Sequence, residues 1–461
     1  MDASVDARID DRFEAYLDDL IALVAQPSVS ATGEGIRECA EHERDRCLEY
    51  GFDEADIVET SGHPAVLARA YVDGDPDNDA PTALVYGHYD VQPVDPAEWT
   101  TPPFEPEIRV EDGEELLYGR GTVDNKGQHF TYPCAVRTLR DTTGLPCNVT
   151  LLLDGEEESG SPNLVDAVEA READLAADVS INSDGPIDDS GRPVVSFGNR
   201  GILVVGLDID GPDGDLHSGH YGGAVPSPTW ELIRLLGTMR DEHGRIAIDG
   251  FYDAVEGVPA PDRELLDAFE PDEDALLEDL DVGGLQDGPG ETFLEKTLYY
   301  PSLNVNGILS GHGETGFKTI VPGDASATID MRLVVDQDPD EIFDLFEAHV
   351  EAHADDRLEA TVTYHASMDP MRTPIDTPYY RPIVDAVTEG WGAEPVVKPS
   401  TGGSAPYALF TDYLGLPHAS IPYGQGNNNQ HSPNERFAVE HFRKGIRTSA
   451  RLLHAVASVE P

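Results

Sequence analysis

The chain has 461 residues and a formal charge of −59, from 89 acidic against 30 basic side chains. That balance argues against nucleic acid or an anionic membrane as partner, because both carry charge of the same sign. No apolar run reaches the ~20 residues that cross a bilayer, and Met1–Asp11 lacks the basic and apolar parts of a secretory signal, so a cytoplasmic protein is expected.

A chain of this length exceeds one core, and two or three domains are expected. Its acids are spread through periodic, apolar-containing segments rather than gathered in a tail. This reads as a folded surface adapted to concentrated cytoplasmic salt, which screens self-repulsion. The four cysteines, Cys39, Cys47, Cys134 and Cys147, show no metal-finger spacing and are expected to stay reduced.

In chain order, Phe13, Tyr16, Leu17, Leu20, Ile21 and Val24 recur at helical spacing, predicting an amphipathic helix over 12–25. From Thr82 the pattern alternates strand, polar turn and helix, which predicts an α/β sheet. Strands are predicted at 82–86, 149–153 and 178–181. Each ends in polar residues: Gly87-His88-Tyr89-Asp90, Asp154 to Gly160, and Asn182 to Pro186. Open α/β sheets place their ligands beyond the carboxyl ends of strands, so these turns are read as one site. Between the first two strands, Leu117–Gly127 opens a helix running to about Arg140, which Pro133 should kink or restart. His88 and Asp90 project the same way from an extended backbone, so that His88 can offer one ring nitrogen to a cation while Asp90 fixes its tautomer.

Near Asn199 the character shifts to a block of strands and capped helices. Strands are predicted at 202–209 and 325–335, and helices after Ser227-Pro228 and Asp338-Pro339. The acidic 245–300 segment reads as a peripheral insertion. The expected division is 1–198 and 369–461 as one α/β domain, with 199–368 as a smaller α+β domain inserted into it. In the returning part, Ser400–Pro406 reads as a glycine turn at a helix entry, and Gly424–Glu435 precedes a final helix.

The segments GHYDVQP, YGRGTVDNKG, EEESGS, SDGP, LHSGHYGG, KTIVP, IDMR, GGSAP and QHSPNE, in this order, make the chain resemble a known family. These are the dinuclear zinc peptidases that include carnosine-type and cytosolic non-specific dipeptidases, aminoacylases and succinyl-diaminopimelate desuccinylases. The resemblance implies a mostly parallel central sheet flanked by helices, with 199–368 as a lid and dimerisation domain, and a homodimer. It implies two divalent metal ions per subunit, zinc first, with manganese and cobalt accepting the same ligands. One ion would be held by His88, Asp124 and Asp184, the other by Asp124, Glu158 and His431. A cis peptide between Asp124 and Asn125 is implied as well.

The resemblance also implies hydrolysis of the amide of a dipeptide or short peptide by water activated at the metals. Glu157 would be the general base, Asp90 the partner of His88, and His217 an oxyanion donor reaching the site of the other subunit. Because Glu156 makes a run of three glutamates, Ser159-Gly160 sets the register of Glu157. Arg332 would hold the substrate carboxylate, with Thr319, Gly403 and Ser404 as further contacts. Ser400-Thr401 stand where many such dipeptidases have Arg-Glu, an acid able to meet a free amino group, and Ala405 replaces an isoleucine. N-acyl amino acids therefore remain open as substrates, and a non-catalytic metal-binding protein is the reading of a different class.

Overall fold

The computed structural model describes residues 3–269, 271–313 and 316–459. Met1 and Asp2 of the acidic N-terminus and Glu270 of the acidic 245–300 segment lie outside the described residues. The chain forms two compact units: residues 1–198, 373–399 and 409–461 make the first, and 199–372 with 400–408 the second. The division expected from sequence assigned 369–372 and 400–408 to the first of these.

In the first unit, an eight-stranded sheet has four parallel central strands, Asn148–Asp154, Thr82–His88, Val179–Asn182 and His418–Ser420 in spatial order. Glu54–Val58 and Ala65–Ala70 extend one edge antiparallel, and Val194–Ser196 and Val396–Lys398 the other. The Asn148–Asp154 strand is buried along its whole length. A strand covered on both faces reads as an unbroken apolar run, which Val149 to Leu153 largely supplies. Each such valine or leucine withdrawn from water is worth about 1.5–3 kcal/mol.

Helices cover the faces. The first spans Ala3–Val24, beginning earlier than the predicted 12–25 because Val5 and Ile9 continue the buried stripe. The helix after Asp124 is interrupted at Phe130: Lys126–His129 is followed by Thr131–Arg140, with Pro133 in the first turn of the restart. A proline there forfeits no intrahelical hydrogen bond. The final helix, Val439–Ala457, buries Phe442, Ile446 and Leu453 in the same core. The Asp124–Asn125 peptide is cis. Cys39, Cys47, Cys134 and Cys147 are free and buried.

In the second unit, a four-stranded antiparallel sheet runs Ser302–Ser310, Asp324–Leu333, Gly201–Asp210, Glu359–Met368 in spatial order. Helices Pro228–Thr238 and Pro339–His353 share a core with it through Leu232, Leu235, Ile342 and Phe346. Asp338 caps the second helix as its sequence predicts, accepting from the Asp340 and Glu341 amides. The acidic insertion carries three short helices, Ala260–Phe269, Glu273–Asp279 and Phe293–Leu298, with a small core of Leu266, Leu294, Leu298 and Tyr299. Ser400–Pro406 does not open an α-helix. The chain continues into a single π-helical turn, Leu409–Tyr413. Among the described residues, no helix is long and apolar enough to cross a membrane.

Candidate metal centre and active site

His88 closes the Thr82–His88 strand and is fully buried. Its Nδ1 lies 3.1 Å from the Asp90 carbonyl oxygen and 3.3 Å from Asp90 Oδ1. A proton on Nδ1 satisfies both acceptors, which leaves Nε2 bare. Nε2 is 3.0 Å from Asp124 Oδ1, 3.5 Å from Asp184 Oδ2 and 3.9 Å from Glu157 Oε2. It is nonetheless a buried nitrogen with no hydrogen bond among the described residues.

Asp90 does more than orient His88. Its two carboxylate oxygens accept from the Glu157 and Glu158 amides, each at 3.1 Å, and so hold the first turn after the Asn148–Asp154 strand. That turn splits the three consecutive glutamates. Glu156 is turned to the His63 amide at 2.9 Å and Asn163 Nδ2 at 2.8 Å. Glu158 accepts from the Gln92 amide at 3.1 Å and Gln92 Nε2 at 2.8 Å, and its Oε2 lies 3.2 Å from His431 Nε2. Glu157 faces His88.

Asp124 joins the two halves of the cluster. Its Oδ1 faces His88, while its Oδ2 is 2.9 Å from His431 Nε2 and accepts from Gln430 Nε2 at 2.7 Å. Asn125 donates to the Ser183 carbonyl at 2.8 Å, tying Asp124 to the turn that carries Asp184. His431 has a positive φ of 58° and is about half exposed.

Two sets of three ligand atoms each lie within 4.8 Å of one another and could hold a metal ion: His88, Asp124 and Asp184, and Asp124, Glu158 and His431. Burial pushes the Glu157 carboxyl well up, and Asp184, Asp124 and Glu158 push it further against the pull of His88. Burial and then Asp124 raise Glu158. Hydrogen bonds to Asp124 and Glu158 raise His431 to about 10. Two carboxyls held up, with Asp124 held down against its burial by His431 and His88, mark a concentration of negative charge around the two imidazoles. Two oxygen-rich donor sets with one imidazole each and a bare His88 Nε2 fit divalent metal ions.

The other residues singled out from the sequence lie in the second unit. Arg332, on the Asp324–Leu333 strand, donates from Nη1 to Ser404 Oγ at 2.9 Å. The Gly403 carbonyl accepts from the Arg200 amide at 3.0 Å, so the glycine turn is fastened beside Arg332. His217 pairs with Ile320 on a short bridge of strands, and the neighbouring Thr319 carbonyl accepts from the Ser218 amide at 3.0 Å. The Gly219 amide donates to His217 Nδ1 at 3.1 Å, which leaves Nε2 as the protonated nitrogen of the neutral ring. His217 also stacks on His220 at 4.4 Å between ring centroids.

Sequence reasoning gave no role to Gln92, Gln430 or Glu435. All three stand inside quoted motifs, Gln92 in GHYDVQP and Gln430 and Glu435 in QHSPNE, and their position there was the available signal. Their partners lie far away in the chain, so the contacts themselves were not legible.

The family model described as Peptidase family M20/M25/M40 matches residues 84–455. A Cys-Gly metallodipeptidase of Candida albicans is 28% identical over 469 residues, covering 95% of this chain and 94% of that protein. The human Beta-Ala-His dipeptidase is 30% identical over 393 residues, 82% of this chain and 75% of that protein. The crystal structure of an M20 family metallo-carboxypeptidase from Sulfolobus solfataricus superposes with a TM-score of 0.85 at 33% identity, covering 96% of this chain and 99% of that one. With the match extending over most of its length, the chain belongs to peptidase family M20/M25/M40.

Proposed function

We propose that this chain is a metal-dependent dipeptidase that hydrolyses the amide bond of dipeptides or short peptides. The observation that carries this reading is a pair of candidate metal-binding triads sharing Asp124, with the Glu157 carboxylate beside them. The relatives that act on Cys-Gly and β-Ala-His dipeptides support the substrate class.

His88, Asp124 and Asp184 would hold one ion and Asp124, Glu158 and His431 the other, with zinc suited to both sets. Bound ions supply Lewis acidity, lowering the pKa of water and polarising the amide carbonyl. Glu157 takes the proton of the attacking water and passes it to the leaving amine. Asp90 serves this step indirectly, since its carboxylate aims the Glu157-Glu158 turn and orients the His88 ring. Arg332 binds the terminal carboxylate through its planar fork, supported by Ser404 Oγ and the Gly403 turn, with Thr319 as a further contact. His217, with its proton on Nε2, donates to the oxyanion of the tetrahedral species.

A hydrolysis panel tests the substrate. Free dipeptides should turn over, C-terminal amides should be poor because they lack the charge that Arg332 recognises, and N-acetyl amino acids should be slower than dipeptides. The absence of the Arg-Glu pair before the Gly402-Gly403 turn favours a second reading, a deacylase of N-acyl amino acids. Faster turnover of the N-acetyl compounds would select that reading.

The second unit is proposed as a lid and dimerisation domain. Its Pro228–Thr238 helix exposes Trp230 at 72%, and the neighbouring Ser302–Ser310 edge strand exposes Leu309 at 74%, the two elements being linked by a Thr229–Ser310 hydrogen bond. Large apolar side chains exposed together mark association surfaces. If His217 completes the site of the other subunit, mixing Glu157→Gln and His217→Ala variants should restore up to about a quarter of the parental activity by random reassortment of a symmetric dimer. No recovery despite demonstrated subunit exchange would remove His217 from the shared site. The charge of −59 and the four free cysteines favour a cytoplasm that is both salt-rich and reducing.

A further inference from the structure

We infer that Glu435 is the positioning residue that sets the spacing between Asp124 and His431, and thereby the affinity of the second metal set. The inference rests on the reading that those two side chains bind a metal ion.

Glu435 is fully buried, and its carboxylate collects four donors from one short stretch of chain. Oε2 accepts from Arg120 Nη1 at 2.7 Å and the Gly121 amide at 3.0 Å; Oε1 accepts from the Val123 amide at 2.9 Å and the Asp124 amide at 3.1 Å. Its own carbonyl accepts from the Gly119 amide at 3.1 Å. The turn from Gly119 to Asp124 is thus wrapped around a single side chain. Such a turn has no helix or strand to hold it, and Gly121 takes a φ of 85° that only glycine adopts readily.

The other end of the device is the loop that carries His431. Asn429, His431 and Asn434 all have positive φ, and the loop is pinned by the Arg436–Ala438 strand, which pairs with Glu114–Tyr118. Glu435 stands immediately before that strand. One carboxylate therefore grips the peptide that bears Asp124 from the same short segment that presents His431. Arg120 completes the arrangement, buried against Glu435 and lying 5.3 Å over the Trp99 ring. No metal ligand touches the Arg120 side chain in the described contacts, so its part is to neutralise Glu435.

Glutamine at 435 would keep the shape of the side chain but replace one acceptor by a donor, facing N–H groups that can only donate. At least two of the four hydrogen bonds are then lost, and the Asp124 peptide is released. Groups that orient metal ligands typically contribute 10–100-fold to affinity.

The test is cobalt(II) titration of the full-length protein, followed by visible absorption and by the number of ions retained after gel filtration. Glu435→Gln should weaken the second cobalt ion about 10–100-fold and alter its absorption bands. Because this variant leaves Arg120 buried without its counter-charge, Glu435→Gln with Arg120→Met is made alongside it and should show the same loss. Leu453→Ala, a core change in the final helix, serves as a destabilised control and should keep both ions. Parental cobalt affinity in either folded Glu435 variant overturns the inference, and so does failure of both to fold, which would make Glu435 a support of the fold alone. His431→Ala separates the two readings: if it retains both ions with parental affinity, the metal assignment fails rather than the role of Glu435.

Discussion

Glu157→Gln is expected to keep both metal ions and the parental melting temperature while turnover falls by about two to four orders of magnitude, the range a general base contributes. Among the described residues the side chain has no anchoring hydrogen bond of the kind that fixes its two neighbours, so an isosteric amide removes proton transfer and little else. The matched control is Glu156→Gln. Glu156 accepts from the His63 amide and from Asn163, and the change costs one of these, about 1 kcal/mol of stability, with turnover within a few-fold of the parent. Steady-state kinetics and thermal melts on both variants decide the matter. Parental turnover in Glu157→Gln, or a collapse confined to Glu156→Gln, would move the base to the other residue.

Removal of metal is expected to abolish hydrolysis and to lower stability together. Asp124, Asp184, Glu157 and Glu158 crowd around His88 and His431, and without cations their mutual repulsion opposes the fold. An ion that binds only the folded chain stabilises it by about 2.7 kcal/mol at a hundred times its Kd. Dialysis against a chelator should therefore drop activity to background and shift the melting transition downward. Readdition of zinc, manganese or cobalt should restore both, and the metal giving the highest turnover identifies the preferred one. Full activity in protein shown by elemental analysis to be metal-free would exclude the mechanism.

Much of the site was legible because its donors are local to strand ends. Thr82–His88 and Asn148–Asp154 are apolar runs that stop at polar turns, so the amino-acid pattern alone points to the turns that carry His88 and Asp90 and the three glutamates, while the roles of Glu157 and Glu158 came with the resemblance. Motif order brought in Asp124, Asp184 and His431, and the structure gathers those side chains within ligand distance. What periodicity cannot express is a hydrogen bond between segments distant in the chain. Glu435 with Asp124, Gln92 with Glu158 and Arg200 with the Gly403 turn all have that character. The start of the first helix was missed although Val5 and Ile9 stand at i and i+4 ahead of Phe13 and extend its stripe, because the acidic, polar composition of Met1–Asp11 masked two isolated apolar positions. The allegiance of 400–408 was missed for a like reason: backbone bonds to Asn199 and Arg200 decide it, not composition.

That last detail limits how the protein can be dissected. The polypeptide leaves one unit for the other after Gly198, Arg372, Pro399 and Ala408. A gene fragment cut at 199–372 would encode the arginine at 332 without the serine at 404 that receives its hydrogen bond. Neither half can be expressed whole as an uninterrupted piece, so trials of the smaller half on its own must graft the nine-residue stretch 400–408 back through an artificial linker.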